Sequence, residues 1–433
     1  MSERFYEERR DGRLGERYFR WTHPTGLEIQ VLPREGYTTA YAMFSAKYGS
    51  IDTTIFRAGG GAADGTPEEI PEGTAHFLEH KLFESEDLDA FERFAKTGAS
   101  ANAYTSFDKT AYLFSCADHF EENLAILLDF VQSPYFTQAT VEKEQGIIGQ
   151  EIRMYQDVPG WAVMFQLLRV LYRSHPVGIE VAGTEASIAL ITAEMLHDCY
   201  RNFYNPKNMV LTAAGNITPE AVRAVADRVL RPAEGQPARR KPSGDQGPPV
   251  RTFAEREMSV AQPTFMLGWK EPLESPELPV RQRLLADLVL DALAGESSPL
   301  YEQLMDEGLI NAGFDPGFLC GFDYACALFE GESKDPRETA RRIEAEVARA
   351  LAEGMDPEAF ERARRKRYGR MVMEFNDIDS LAGRMADAYF AGEDLFARAA
   401  ACRELTAEDA DRRLREMFRP GFSALSVIWP KKE

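Results

Sequence analysis

The sequence predicts an α+β protein built of two lobes, and three observations predict it. Residues 232–249 are rich in proline, glycine and charge and contain no large apolar residue; such a stretch buries no core and is expected to be an exposed linker. On both sides of it, strand-like runs are interleaved with amphipathic helical stretches, the pattern of mixed α and β layers. The order of elements before the linker recurs faintly after it, which points to a duplicated unit. The expected organisation is a first lobe over residues 1–231, a linker over 232–250 and a second lobe over 251–433.

Taken in order, residues 26–32 alternate apolar and polar side chains, and residues 37–48 are rich in aromatic and small ones, so both read as strands. A glycine-rich loop at 58–62 and the run Pro71-Glu72-Gly73-Thr74 follow, with Thr74 as the expected N-cap of a helix over 75–84. The loop lacks the Lys-Ser/Thr of a phosphate cradle. One strand is expected over 101–116, then helices over 121–130, 140–154 and 162–172, and a closing strand over 208–214. In the second part, a strand at 264–269 precedes helices over 280–294 and 299–307. Strands around Phe318 and at 326–329 come next, and long helices over 336–353 and 357–390 finish the chain.

Composition narrows the function. The 433 residues are 44% hydrophobic and 28% charged, a globular profile. A formal charge of -20 argues against nucleic acid, whose binding needs a cationic surface. No run approaches the roughly 18 apolar residues of a membrane span. The first residues are charged throughout, so no secretory signal is expected. The five cysteines are scattered, without CxxC spacing, and read as free thiols of a reducing cytoplasm.

Chemistry concentrates in His76-Phe77-Leu78-Glu79-His80. On a helix, residues i and i+4 share a face one turn apart, so both imidazoles reach one metal ion. Glu79 stands on the same side, where its carboxylate reaches a water on that metal. Phe77 and Leu82 are left to anchor the helix in the core. The inverted spacing H-x-x-E-H is a zinc-peptidase motif, although the five residues alone also fit an ordinary polar surface. A third ligand decides between the two. The run from Val141 to Glu151 offers candidates: Glu144 and Glu151 lie seven residues apart, two helical turns, with Ile147 and Ile148 between them to pack inward. A carboxylate presented inward by this helix completes a His, His, Glu site; a solvated charged face is the plainer alternative. His23 and His175 precede prolines and read as turn residues, and His119 and His197 as residues near helix ends.

The run GTAHFLEHKLFE (73–84) with EQGIIGQEIRMYQD (144–157) resembles the inverzincin metallopeptidases, the family of pitrilysin, insulin-degrading enzyme and the mitochondrial processing peptidase. The stretches NAYTSFDKTAYLF (102–114), HPVGIEVAGTEASI (175–188) and YRNFYNPKNMVLTAAGNI (200–217) fit it too. The resemblance implies two homologous α/β lobes, each a mostly antiparallel sheet packed with helices. It implies one Zn²⁺ per chain on His76, His80 and Glu151, Glu79 as general base, and Glu144 as a supporting carboxylate behind the ligands. Asn102 and the backbone of Ala103 would bind an extended peptide by strand addition. Members of the family commonly carry an Arg and a Tyr in the second lobe, where this chain has Met305 and Asn311. A homologous partner subunit supplying them, in a heterodimer, is therefore expected, with a homodimer as the other arrangement. The leading reading is a zinc endopeptidase; a non-catalytic assembly or peptide-binding subunit and a zinc hydrolase of small molecules are the alternatives.

Overall fold

The computed structural model describes residues 5–57, 66–86 and 88–431. Among the described residues of its first part, nine strands form: β1 (Glu7–Asp11), β2 (Glu16–Thr22), β3 (Glu28–Pro33), β4 (Ala40–Ala46), β5 (Thr54–Arg57), β6 (Thr66–Glu69), β7 (Ser100–Thr105), β8 (Thr110–Cys116) and β9 (Met209–Gly215). Seven of them make one sheet in the order β1-β2-β3-β9-β4-β8-β7, while β5 and β6 pair separately. Five more, β10 (Phe253–Met258), β11 (Thr264–Lys270), β12 (Asp315–Gly321), β13 (Tyr324–Glu332) and β14 (Ser423–Pro430), make a second sheet, ordered β10-β14-β11-β13-β12. The expected strand over 101–116 is a hairpin, β7 and β8, turned at Ser106–Lys109, whose Ser106 N–H donates to the Lys109 carbonyl. The glycine-rich loop at 58–62 lies outside the described residues.

The duplication is explicit in the sheet order. Counting only β3, β4, β7, β8 and β9, the first sheet runs first-fifth-second-fourth-third; the second sheet runs the same way. In each, the first strand pairs parallel with the fifth and every other pairing in that series is antiparallel.

The compact units do not follow the cut at the linker. One comprises Met1–Ile152, Glu180–Arg240 and Val372–Phe396; the other comprises Arg153–Ile179, Lys241–Met371 and Ala397–Glu433. Each half of the chain thus gives one helix to the other half's sheet. The helix Pro159–Leu171 packs on β11, where Gly268 leaves room for it: a Cβ there would stand 2.8 Å from Leu167. Ile378–Phe390 packs on β4 and β9, with Leu381, Ala382, Met385 and Ala386 against Tyr41, Met43 and Val210. Alternation along β4 sends Ala42 and Phe44 to the opposite face, into the main core of the first unit. The single helix expected over 357–390 is two, Pro357–Glu374 and Ile378–Phe390. Asp377 breaks it by turning its carboxylate onto the Asp379 and Ser380 amides at 3.2 and 3.4 Å.

The expected linker is a tethered strap without helix or strand. Arg240 grips Asp52 through two hydrogen bonds of 2.7 Å in the first unit. In the second, Asp245 accepts the Arg173 and Ser174 amides at 2.6 Å and the ammonium of the fully buried Lys270 at 2.7 Å. Charged residues that looked solvent-bound in the sequence are satisfied by specific partners.

Candidate metal centre

The H-x-x-E-H residues form the helix Thr74–Leu82. Thr74 is not its cap: its hydroxyl donates to the Pro71 carbonyl at 2.6 Å, and Gly73, with φ +84°, turns the chain into the helix. Only glycine fits, since a Cβ would meet the Ala182 carbonyl oxygen at 2.3 Å in addition to the left-handed backbone. Phe77, Leu78 and Leu82 are fully buried and hold the helix in the core. Lys81, also buried, is satisfied by Glu84.

His76 and His80 present their rings side by side, centroids 4.6 Å apart. Across from them runs the helix Gln138–Gln156, seated by Val141, Ile148 and Ile152. Ile147, expected to pack inward, is exposed; Ile148 alone of that pair faces the core. Glu144 and Glu151 on this helix take different places. Glu151 lies between the imidazoles, its oxygens 3.6 Å from His76 Nε2 and 3.4 Å from His80 Nε2. Glu144, buried, sits behind His80, with Oε1 2.9 Å from Nδ1. With Nδ1 turned to that carboxylate, His80 has Nε2 free to coordinate.

One donor atom from each of His76, His80 and Glu151 falls within 4.8 Å of the others, and these three form the one such metal-ligating group among the described residues. The set fits zinc. Nitrogen and carboxylate donors are those zinc takes, and tetrahedral donors at about 2.0–2.1 Å from the ion stand roughly 3.3–3.4 Å apart, close to the spacings here. Burial disfavours a charged His80, yet its hydrogen bond to Glu144 and the adjacent Glu151 carboxylate prevail and raise it to about 10. The neighbouring imidazoles of His76 and His80 hold Glu151 well below the usual carboxylate range.

Glu79, 7% exposed, turns to β7, where the Thr105 hydroxyl donates to Oε2 at 2.6 Å. Sequence reasoning passed over Thr105; strand alternation was the available signal, since it shares a face with Ala101 and Ala103, which pack toward the core holding Phe77 and Leu78. β7 is the terminal strand of its sheet. Asn102 and Ala103 lie on it, the Ala103 N–H donating to the exposed Asn102 side chain at 2.8 Å. All of these residues belong to the first unit.

Met305 and Asn311 belong to the second unit. Met305 lies on the helix Pro299–Asp306; Asn311, just beyond it, donates to Glu332 at 2.8 Å and caps the Gly313 amide. There, the helices matching the two metal-site helices in order, Val280–Ala294 and Pro357–Glu374, are joined by ion pairs, Lys366 to Asp291 at 2.6 Å and Arg367 to Asp287 at 2.7 Å. The other four histidines stand apart. His23 bonds Thr25 and Asp227, His175 donates to the Phe322 carbonyl, His119 precedes a helix, and His197 sits mid-helix against Phe136. Among the described residues, none of the five cysteines forms a disulfide.

Comparison with known proteins places these features in a lineage. The family model described as Insulinase (Peptidase family M16) matches residues 63–185, the segment that holds every residue of the cluster. That described as Peptidase M16 inactive domain matches residues 190–367. The Bacillus subtilis protein called uncharacterized zinc protease YmfH is 38% identical over 411 residues, 94% of this chain and 95% of its own. The crystal structure of an M16-like peptidase from Alicyclobacillus acidocaldarius matches with a TM-score of 0.90 at 36% identity, covering 99% of each chain. A Helicobacter pylori protease, 18% identical, shares the fold, with a TM-score of 0.81 over 96% of this chain and all of that one.

Proposed function

Because this chain belongs to the insulinase family of peptidases, we propose that it is a zinc-dependent endopeptidase acting on extended peptides. His76, His80 and Glu151 hold the zinc ion, Glu144 orients His80, and Glu79 is the general base. The observation that carries this reading is the convergence of Glu151 on the Nε2 atoms of both histidines, with a further buried carboxylate, Glu79, on the same helix.

Bound zinc would lower the pKa of a water toward about 7 and polarise the scissile carbonyl. The chain's own groups do the rest. A peptide pairs with the open edge of β7 through the Ala103 backbone and the Asn102 side chain, contacts indifferent to most sequences. Glu79 takes a proton from the attacking water as the new C–O bond forms, then delivers it to the amine nitrogen as the C–N bond breaks. The site keeps Glu144 against His80 throughout, fixing which imidazole nitrogen faces the ion.

Met305 and Asn311 carry no charge to stabilise the developing oxyanion, which supports a heterodimer in which a homologous subunit brings Arg and Tyr. The lack of any disulfide among the five cysteines, in the described residues, supports a cytoplasmic setting. The test is cleavage of an unstructured peptide by the zinc-loaded protein and by Glu79→Gln, each with and without such a subunit. Loss of cleavage at unchanged zinc content in the variant is expected; undiminished cleavage refutes the general-base role.

A further inference from the structure

We propose that Thr105 is a positioning residue for the general base: its hydroxyl fixes Oε2 of Glu79 and leaves Oε1 as the oxygen that takes the proton. The inference rests on the reading of Glu79 given above and extends it to a residue outside the metal-binding motif.

The hydroxyl protons around Glu79 can be assigned one by one. Thr110 Oγ1 lies 2.8 Å from the Tyr48 carbonyl oxygen, which can only accept, so the Thr110 proton points there. Thr105 Oγ1 is 3.3 Å from Thr110 Oγ1 and 2.6 Å from Glu79 Oε2. A carboxylate also only accepts, so the single Thr105 proton goes to Glu79, at the length of a charge-assisted O–H···O bond. No described residue donates a hydrogen bond to Oε1. The two oxygens of the base are therefore unlike: one is held and one is open.

Thr105 owes its place to the hairpin. It pairs with Thr110 across β7 and β8, beside the turn, so its side chain cannot slide along the strand without breaking the register. Asn102 and Ala103 stand on the same strand. The strand that receives the peptide thus also orients the base.

The experiment compares wild type, Thr105→Val, Thr105→Ser and Glu79→Gln, all zinc-loaded and assayed in the complex that cleaves. Thr105→Val keeps the shape and removes the donor. It should lower kcat about 10–100-fold, the loss of one hydrogen bond to a charged group, with KM changed less than about twofold and zinc content unchanged. Thr105→Ser should restore kcat to near wild type. A second readout needs no turnover: the infrared carboxylate band that Glu79→Gln removes should shift in Thr105→Val and return in Thr105→Ser. An unshifted band, or full kcat in Thr105→Val while Glu79→Gln is inactive, overturns the positioning role alone. Undiminished cleavage by Glu79→Gln overturns the general-base reading itself.

Discussion

Replacing Glu144 with Gln keeps the shape of the carboxylate behind His80 and removes its charge. The bond it alters is 2.9 Å long and comes from a buried side chain, so no water takes its place at low cost. Glu144 itself does not face the donor cluster; Glu151 does. Its substitution should therefore weaken the ion without removing a ligand. Outer hydrogen-bond partners of metal ligands typically contribute a factor of about 10–100 in affinity, or roughly 1.4–2.8 kcal/mol. The assay is competition for zinc with a chelator of known affinity at constant pH, with far-ultraviolet circular dichroism to show that the helices persist. The expected result is a 10–100-fold rise in Kd with one site per chain retained. An unchanged Kd would mean that Glu144 contributes only packing, and loss of the site altogether would mean that it ligates the ion.

Two further outcomes follow from the strap and the second unit. Asp245→Asn leaves the Lys270 ammonium buried without its partner and should cost about 3–5 kcal/mol in chemical unfolding at pH 7. In the wild type, burial would raise Asp245, but Lys270 and the Ser174 and His175 amides hold it down at about 2. Its contribution is thus complete above the unfolded value of about 3.9 and disappears as pH falls through about 2, where variant and wild type should converge. Separately, a homologous subunit carrying Arg and Tyr should raise peptide cleavage by about 10²–10³-fold over the chain alone; equal activity without it counts against the heterodimer.

The cluster of His76, His80 and Glu151 was legible because its logic is local. His76 and His80 are one helical turn apart in the sequence and remain so in the fold, and Glu144 and Glu151 show their common face by a seven-residue interval. Which of these two meets the imidazoles is a tertiary fact, and spacing alone left it open. Thr105 was hidden for the same reason: a threonine in a strand carries no mark of function until its hydroxyl is seen against Glu79. The exchange of Pro159–Leu171 and Ile378–Phe390 between the two halves of the chain was illegible, because an amphipathic pattern says that a face is buried but not by which sheet. The strap misled for an opposite reason. Its composition is that of a solvated linker, and only the positions of Asp52 and Lys270, far away in sequence, show that Arg240 and Asp245 are tied down. Gly268 shows what the sequence can still carry: a glycine inside an apolar strand marks close approach, here by Leu167.

The proposed zinc site of His76, His80 and Glu151 is checked by elemental analysis of wild type beside Glu151→Gln, both purified without added metal and then equilibrated with limiting zinc. One zinc per wild-type chain and a small fraction of that in the variant are expected. No zinc in the wild type, or equal zinc in both, would contradict the assignment.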